Sequence, residues 1–316
     1  MKKTFMIAMG SGDPAPWVKS FETLLPEFHI ATLGDKVEPD QVAYAMTWYH
    51  PPGSLSEFTS LKAIFSMGAG VDHLFRDPQL PNVPTARVVD PDLTKRMTEY
   101  VILHALSILR QTRRYRLQQT QNLWSDDDHQ PAAGDVRVGI MGMGVLGQDA
   151  AEKLSIIGFD VAGWSRSSKS INGLKAFSGA AELPAFLART DILIVLLPLT
   201  PDTRGIIDKT LLNGLARDGR VPAPSLINAG RGGLQKESDI LECLEDGTLH
   251  EVVLDVFEIE PLPTTSALWS HPRVTITPHN ASVSDPMAIS RTIAEQVYRV
   301  ERGEPLLYQV DQKRGY

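Results

Sequence analysis

The chain has 316 residues, enough for two domains, and 42% of them are hydrophobic, as in an ordinary packed globular protein. A net charge of −7 argues against a nucleic-acid partner, whose binder would carry a basic footprint. One cysteine, Cys243, rules out an internal disulfide, no Cys/His cluster suggests zinc, and no apolar run approaches the length of a membrane-spanning helix.

In chain order, the apolar stretch 5–9 is too short for a signal-peptide core and reads as a first β-strand, which fits a cytoplasmic protein. Runs at 44–48, 63–67 and 86–89 are further strands, and 17–26 is an amphipathic helix stopped by proline. This alternation predicts a small parallel sheet with crossovers. A long helix is expected from Thr98 to Gln119. Its first part, YVILHALSIL (100–109), is apolar nearly all round, and its second, RQTRRYR (110–116), is basic. A subunit interface is the favoured use of that helix, a domain core the alternative. Residues 122–135, with an aspartate run, Pro131 and Gly134, read as a solvated connecting loop.

VRVGIM (136–141), GMGVLG (142–147) and the helical stretch after them have the order strand, glycine turn, helix, with G-x-G-x-x-G spacing. Gly142 allows the tight turn, Gly144 a close approach of backbone to a pyrophosphate, and Gly147 close packing of helix on strand. Free N–H groups at the helix start, through Met143, Val145 and Leu146, would face the phosphates. The next strand, FDVAGW (159–164), should end on an acidic residue if a ribose 2′-hydroxyl is read. It ends instead on SRSSK (165–169), and Asp160 lies at the wrong end of the strand. Ser165, Arg166, Ser167 and Lys169 suit a 2′-phosphate, so NADP(H) is expected over NAD(H), with no carboxylate reaching that edge. DILIVLL (191–197) is a buried strand. Leu197, Pro198 and Thr203 lie on a loop expected to cover the cofactor's adenosine side, where the Thr203 hydroxyl could donate.

Three later stretches, LINAGRGG (226–233), LDVFEIEPLP (254–263) and ITPHNA (276–281), each begin aliphatic and carry polar residues at or beyond their ends. As parallel strands they would bring Arg231, Glu260 and His279 to one sheet edge, where ligands of open α/β sheets sit. Arginine grips anions, histidine moves a proton near neutral pH, and a carboxylate favours the charged imidazole. Such a set suits the reduction of a carbonyl beside a carboxylate. His29, His104, His129, His250 and His271 read as structural or exposed, and Cys243 as a packing residue of an amphipathic helix. A last helix starts near Pro286.

With these residues laid out, and with MGAGVDHL (67–74), WSRS (164–167), EPLP (260–263) and LWSHPRV (268–274), the chain resembles the D-isomer-specific 2-hydroxyacid dehydrogenases over nearly its whole length. It is closest to their glyoxylate/hydroxypyruvate reductase branch. The resemblance implies an α/β fold of two doubly wound parallel-sheet domains, with a Rossmann NADP-binding domain (99–281) inserted in a flavodoxin-like substrate domain (1–98 and 282–316). It implies Arg231 as the substrate-binding arginine, His279 as acid/base and Glu260 as its partner. It also implies that N–H groups near Ala69 and Gly70 hold the substrate carboxylate, that Asp255 and the backbone of Ala229 and Gly230 face the nicotinamide, and that Trp48, in TWYHPP (47–52), lines the substrate pocket. Asn280 departs from the pattern, since an apolar residue commonly comes after the histidine, and 217–226 is longer than usual and reads as a surface loop. The function so implied is NADPH-dependent reduction of small 2-oxo acids; the apolar helix from Tyr100 leads us to expect a homodimer, and the composition no membrane or nucleic-acid partner and no metal. A dehydrogenase of larger substrates such as aryl pyruvates, or a dinucleotide-binding regulator without turnover, remain the alternatives.

Overall fold

The computed structural model describes residues 2–10, 12–168, 173–283, 285–311 and 314–316. The chain runs β1 (Thr4–Met9), α1 (Ala15–Leu24), β2 (His29–Thr32), β3 (Val42–Trp48), β4 (Ala63–Ser66), β5 (Thr85–Ala86), α2 (Pro91–Leu109) and α3 (Thr112–Thr120). It continues with β6 (Arg137–Met141), α4 (Val145–Ile157), β7 (Asp160–Ser165), β8 (Lys175–Ser178), α5 (Gly179–Leu187), β9 (Ile192–Val195) and α6 (Lys209–Asn213). The rest is β10 (Ser225–Asn228), α7 (Glu237–Glu245), β11 (Val252–Leu254), β12 (Val274–Ile276) and α8 (Pro286–Glu301). Two compact units result, 1–93 with 283–316, and 94–282. The division runs at 93/94, in the first turn of α2, five residues before the 98/99 boundary expected from sequence.

The first unit holds a five-stranded parallel sheet in the order β2-β1-β3-β4-β5, a flavodoxin-like arrangement. β1, β3 and β4 are buried along nearly their whole length, which is why they read as unbroken apolar runs. The strand expected at 86–89 is only Thr85–Ala86. Beyond it, Arg87 N–H donates to Tyr308 O and Val88 N–H to Gly68 O, so the chain leaves the ladder.

The second unit holds a seven-stranded parallel sheet, β12-β11-β10-β9-β6-β7-β8. β6, the first strand in sequence, lies between β9 and β7, so the winding reverses beside the carboxyl end of β6. One buried cluster includes Phe186, Leu212, Ile240 and Leu244 of α5, α6 and α7, and another includes Val101, Ala105, Ala151 and Leu154 of α2 and α4. The single long helix expected over 98–119 is two helices, and the first starts earlier. Asp90 Oδ1 accepts from the N–H groups of Asp92 and Leu93, and Pro91 needs no donor partner in a first turn, so α2 begins at Pro91. Gln111 then adopts a left-handed conformation (φ 52°), which separates α2 from α3.

In the first unit Glu301 ties α8 to the sheet. Its carboxylate accepts from Tyr44 Oη at 2.6 Å and Lys62 Nζ at 2.8 Å, and pairs with Lys3. Burial pushes this carboxyl up, but the bonds from Lys3, Lys62 and Tyr44 outweigh it and bring it from 4.5 down to about 2. A depressed carboxyl stabilises the fold fully above its unfolded value, and that contribution is lost as pH falls through the folded one. Glu301→Gln is therefore expected to lower the thermal midpoint at pH 7, with the gap to the unmodified protein shrinking between pH 4.5 and about 2. Thermal melts across that range check this, and a gap independent of pH would contradict it.

Candidate active site

At the carboxyl end of β6, Gly142 turns the chain with φ 108°, and a side chain there would meet Leu196 O at 2.6 Å. A Cβ on Gly147 would stand 2.0 Å from Gly142 O, so the first turn of α4 lies directly on the glycine turn. Over Gly144 a Cβ would meet nothing within 4 Å. The turn is thus closed beneath and open above, with the start of α4 beside it, which is the cradle a pyrophosphate needs. Met143 is buried, with its side chain against Gly163 of β7, so only its backbone faces the turn. Val145 is exposed, while Leu146 packs against the core.

At the end of β7, Ser165 Oγ donates to Ser167 O at 2.8 Å and shapes the turn that carries Arg166. Arg166 is half exposed, and its Nη1 lies 3.8 Å from Asp202 on the loop after β9. This corrects the expectation that no carboxylate reaches this edge. Both groups are solvated, so the pair is weak. Lys169 lies outside the described residues. Past Leu197, the Thr203 hydroxyl donates to Pro198 O at 2.7 Å and accepts from Thr200 N–H at 2.8 Å. Its one proton is engaged within the loop, so Thr203 shapes the loop instead of offering the expected donor.

The register of β10, β11 and β12 sets Asn228 beside Leu254 and Leu254 beside Ile276. Three loops leave from this edge and carry Arg231, Glu260 and His279. The first is shaped by Asn228, which is fully buried: its Oδ1 accepts from Gly230 N–H at 3.1 Å and its Nδ2 donates to Gln235 Oε1 at 2.7 Å. Gln235 in turn donates to Val256 O at 3.0 Å and so joins this loop to the next. Ala229 N–H donates to Val195 O, and Arg231 Nη1 donates to Gly230 O at 2.9 Å. Glu237 and Glu258 repeat the join by capping each other's backbone N–H, at 2.7 and 2.8 Å.

In the second loop Glu260 Oε1 accepts from Phe257 N–H at 2.9 Å. Its Oε2 accepts from His279 Nδ1 at 2.7 Å. Burial pushes the Glu260 carboxyl up, but the His279 bond, the Phe257 N–H and the nearby Arg231 charge hold it below its ordinary value. Glu260 is therefore a carboxylate at neutral pH and fixes the proton on Nδ1, which leaves Nε2 as the nitrogen for proton transfer. His279 itself has φ 51°, a left-handed conformation that costs about 1–3 kcal/mol outside glycine and persists where surroundings over-determine it.

Asp255 supplies much of that determination. It is buried, its Oδ1 accepts from Thr277 Oγ1 at 2.6 Å and Asn280 N–H at 2.9 Å, and its Oδ2 accepts from Ala281 N–H at 3.0 Å. The resemblance implies an Asp255 that faces the cofactor. In the structure both its oxygens are taken up by the loop that carries His279. Asn280 contributes its N–H to this arrangement while its side chain stays exposed. Asn228, Gln235 and Thr277 support the site although the sequence did not single them out; Asn228 and Thr277 are polar residues at or just past the carboxyl ends of β10 and β12, while Gln235 lies seven residues beyond β10.

In the first unit, Trp48 ends β3 and packs edge-on against His73 and Tyr49, with ring centroids 4.8 and 5.1 Å away. Ser66 Oγ donates to Gly70 O at 2.9 Å and accepts from Gly68 N–H at 3.3 Å, which sets the turn after β4. Among the described residues, the N–H groups of Ala69 and Gly70 donate to no protein acceptor. His50, by contrast, is buried between Thr47 and Asp77 and is structural.

Comparison with known proteins bears on these sites. The family model for the NAD-binding domain of D-isomer specific 2-hydroxyacid dehydrogenases matches residues 102–281. A glyoxylate/hydroxypyruvate reductase A of Escherichia fergusonii is 39% identical over 312 residues, covering 96% of this chain and 97% of the relative. The crystal structure of an NADPH-dependent glyoxylate/hydroxypyruvate reductase from Sinorhizobium meliloti, in complex with NADP and sulfate, is 46% identical with a TM-score of 0.94 and full coverage of both chains (100%). A probable 2-hydroxyacid dehydrogenase from Rhizobium etli, in complex with NADP, HEPES and L(+)-tartaric acid, is 41% identical with the same TM-score of 0.94, again covering 100% of both chains.

Proposed function

The chain belongs to the D-isomer specific 2-hydroxyacid dehydrogenases, and from that premise we propose that it reduces small 2-oxo acids, glyoxylate and hydroxypyruvate among them, with NADPH. The observation that carries this reading is the 2.7 Å pair of His279 and Glu260 at the sheet edge from which Arg231 also arises. Bound at the Gly142–Gly147 turn, the cofactor would supply a hydride. His279, held by Glu260 through Nδ1, gives the proton from Nε2 to the carbonyl oxygen. Arg231 polarises that oxygen and anchors the substrate carboxylate, stabilising charge as it develops. Within the first unit, the N–H groups of Ala69 and Gly70 are assigned as donors to a carboxylate, with Trp48 packed beside Gly68 as a substrate-lining residue. The tryptophan favours a small substrate over an aryl pyruvate. The intact acid/base pair favours an enzyme over a binding protein without turnover.

Arg166, with Ser165 and Ser167, is the proposed reader of the 2′-phosphate. Gly142, Met143, Gly144, Val145, Leu146 and Gly147 are assigned to the pyrophosphate, and Leu197, Pro198, Ala229 and Gly230 to the cofactor's flank. NADH would lack the phosphate contact and is expected to be used less well. We further propose a homodimer acting in the cytoplasm. The support for the dimer is a set of exposed apolar side chains on α2, α3 and the segment after them: Leu103 is 59% exposed, Leu117 49%, Leu123 53% and Trp124 97%. A two-fold interface is the commonest way to cover such a surface. No helix among the described residues is long and apolar enough to cross a membrane.

His279→Ala should lower turnover of the best 2-oxo acid by about a hundredfold or more. Arg231→Ala should harm both KM and kcat, since it serves ground state and transition state. Near-normal activity of either variant in a steady-state assay would contradict these roles. Catalytic efficiency should favour NADPH over NADH by at least about tenfold, and Arg166→Ala should erase most of that ratio by weakening NADPH use alone. Equal efficiency with both cofactors in the unmodified protein would refute the reading of this turn. Light scattering at working concentration should give twice the chain mass. A clean species near 34.8 kDa would exclude the dimer.

A further inference from the structure

We propose that Tyr100, on α2, is a positioning residue for the acid/base loop, its hydroxyl being the outer link of a hydrogen-bonded chain, Tyr100–Thr277–Asp255, that holds residues 277–281. The functional consequence rests on the reading of His279 given above, but the chain of bonds stands on geometry alone.

Thr277 Oγ1 lies 2.6 Å from Asp255 Oδ1 and donates to it. A hydroxyl has one proton, so towards Tyr100 Oη, 2.8 Å away, Thr277 acts as acceptor and Tyr100 as donor. The direction of the chain is thereby fixed: tyrosine to threonine to carboxylate. Each donor polarises the next, and the carboxylate at the end gathers the N–H groups of Asn280 and Ala281. Those two residues come directly after His279, and His279 N–H closes the turn on Asp255 O at 2.8 Å. The left-handed backbone at His279 is thus enclosed by bonds to Asp255, with a further contact from its N–H to Thr277 O at 3.0 Å. Thr277 meets Tyr100 across 177 residues of sequence, so this bond ties the helix to the loop.

Tyr100 suits this place. It is 9% exposed, its ring is fixed edge-on against His104 at 4.3 Å, and burial holds its hydroxyl well above the ordinary tyrosine value, so it stays a donor. An apolar residue would have served if packing were the only need at this point of an otherwise apolar helix. The hydroxyl is the part that packing does not explain.

The test uses Tyr100→Phe and Thr277→Val, each removing one link, with Thr277→Ser keeping the hydroxyl. Amide hydrogen exchange of the full-length protein is read for residues 277–281 and, as a reference, for β6 and α4. Exchange at Asn280 and Ala281 is expected to rise severalfold in Tyr100→Phe and Thr277→Val, to stay near the unmodified rate in Thr277→Ser, and to leave β6 and α4 unchanged. In glyoxylate reduction with NADPH, Tyr100→Phe should lower kcat by about threefold to tenfold, the size of one lost hydrogen bond, with the KM for NADPH held within about twofold. Unchanged exchange in 277–281, or a rise spread equally over the reference segments, would overturn the proposal whatever the turnover. If exchange changes as expected while the unmodified protein reduces no 2-oxo acid, the positioning chain stands and the functional reading falls.

Discussion

Everything at the site depends on the parallel register of β10, β11 and β12. Because Asn228, Leu254 and Ile276 stand in line, the loops beyond them leave one edge together. Parallel strands alone do not fix where an arginine, a glutamate and a histidine point. That is done by polar side chains that join loop to loop: buried Gln235 from the Arg231 loop to Val256, buried Asp255 from the Glu260 loop to residues 277–281, and the more exposed Glu260 to His279. Gln235 and Asp255 would be costly to bury without partners, which favours the loop arrangement that pairs them. Fold and reactive geometry are in this sense one constraint.

The glycine turn is legible from sequence because its requirements are local. A left-handed Gly142, an open Gly144 and a Gly147 against the turn are all written into six consecutive residues. Arg231 and Glu260 are legible because the buried strands β10 and β11 announce their own ends, and His279 because β12, though a half-buried edge strand, keeps aliphatic residues at both ends. Two other edge strands announce little: β2 and β8 each pair with one neighbour only and carry exposed and half-exposed residues, so neither stands out in the sequence. The start of α2 is hard to place although Asp90–Pro91 is a strong opening signal, since the apolar run from Tyr100 draws the boundary towards itself. Its end is hidden for the opposite reason. No glycine or proline stands near Gln111, so the left-handed turn there carries no local signal.

Least legible are the partners that reach a residue from another strand. Asp202 comes to Arg166 from the loop after β9, and Asp255 turns inward to backbone N–H groups that carry no sequence signature. A reading that assigns each polar residue at a strand end to a ligand overestimates how many are available. Thr203, Ser165 and Asp255 all serve the protein's own loops first. The set left facing outward is smaller, and that economy sharpens the assignments that remain.

The pairing of Arg166 with Asp202 has a consequence for selectivity. A dianionic ligand group arriving at this guanidinium must compete with a carboxylate already within 3.8 Å, whereas a neutral hydroxyl need not displace anything. The field that the turn offers is the difference of two opposite charges on two separate loops. Discrimination at such a turn is set first by Arg166 and trimmed by Asp202. A change at Asp202 would therefore shift the field at the turn while leaving the glycine turn, the acid/base pair and the arginine untouched.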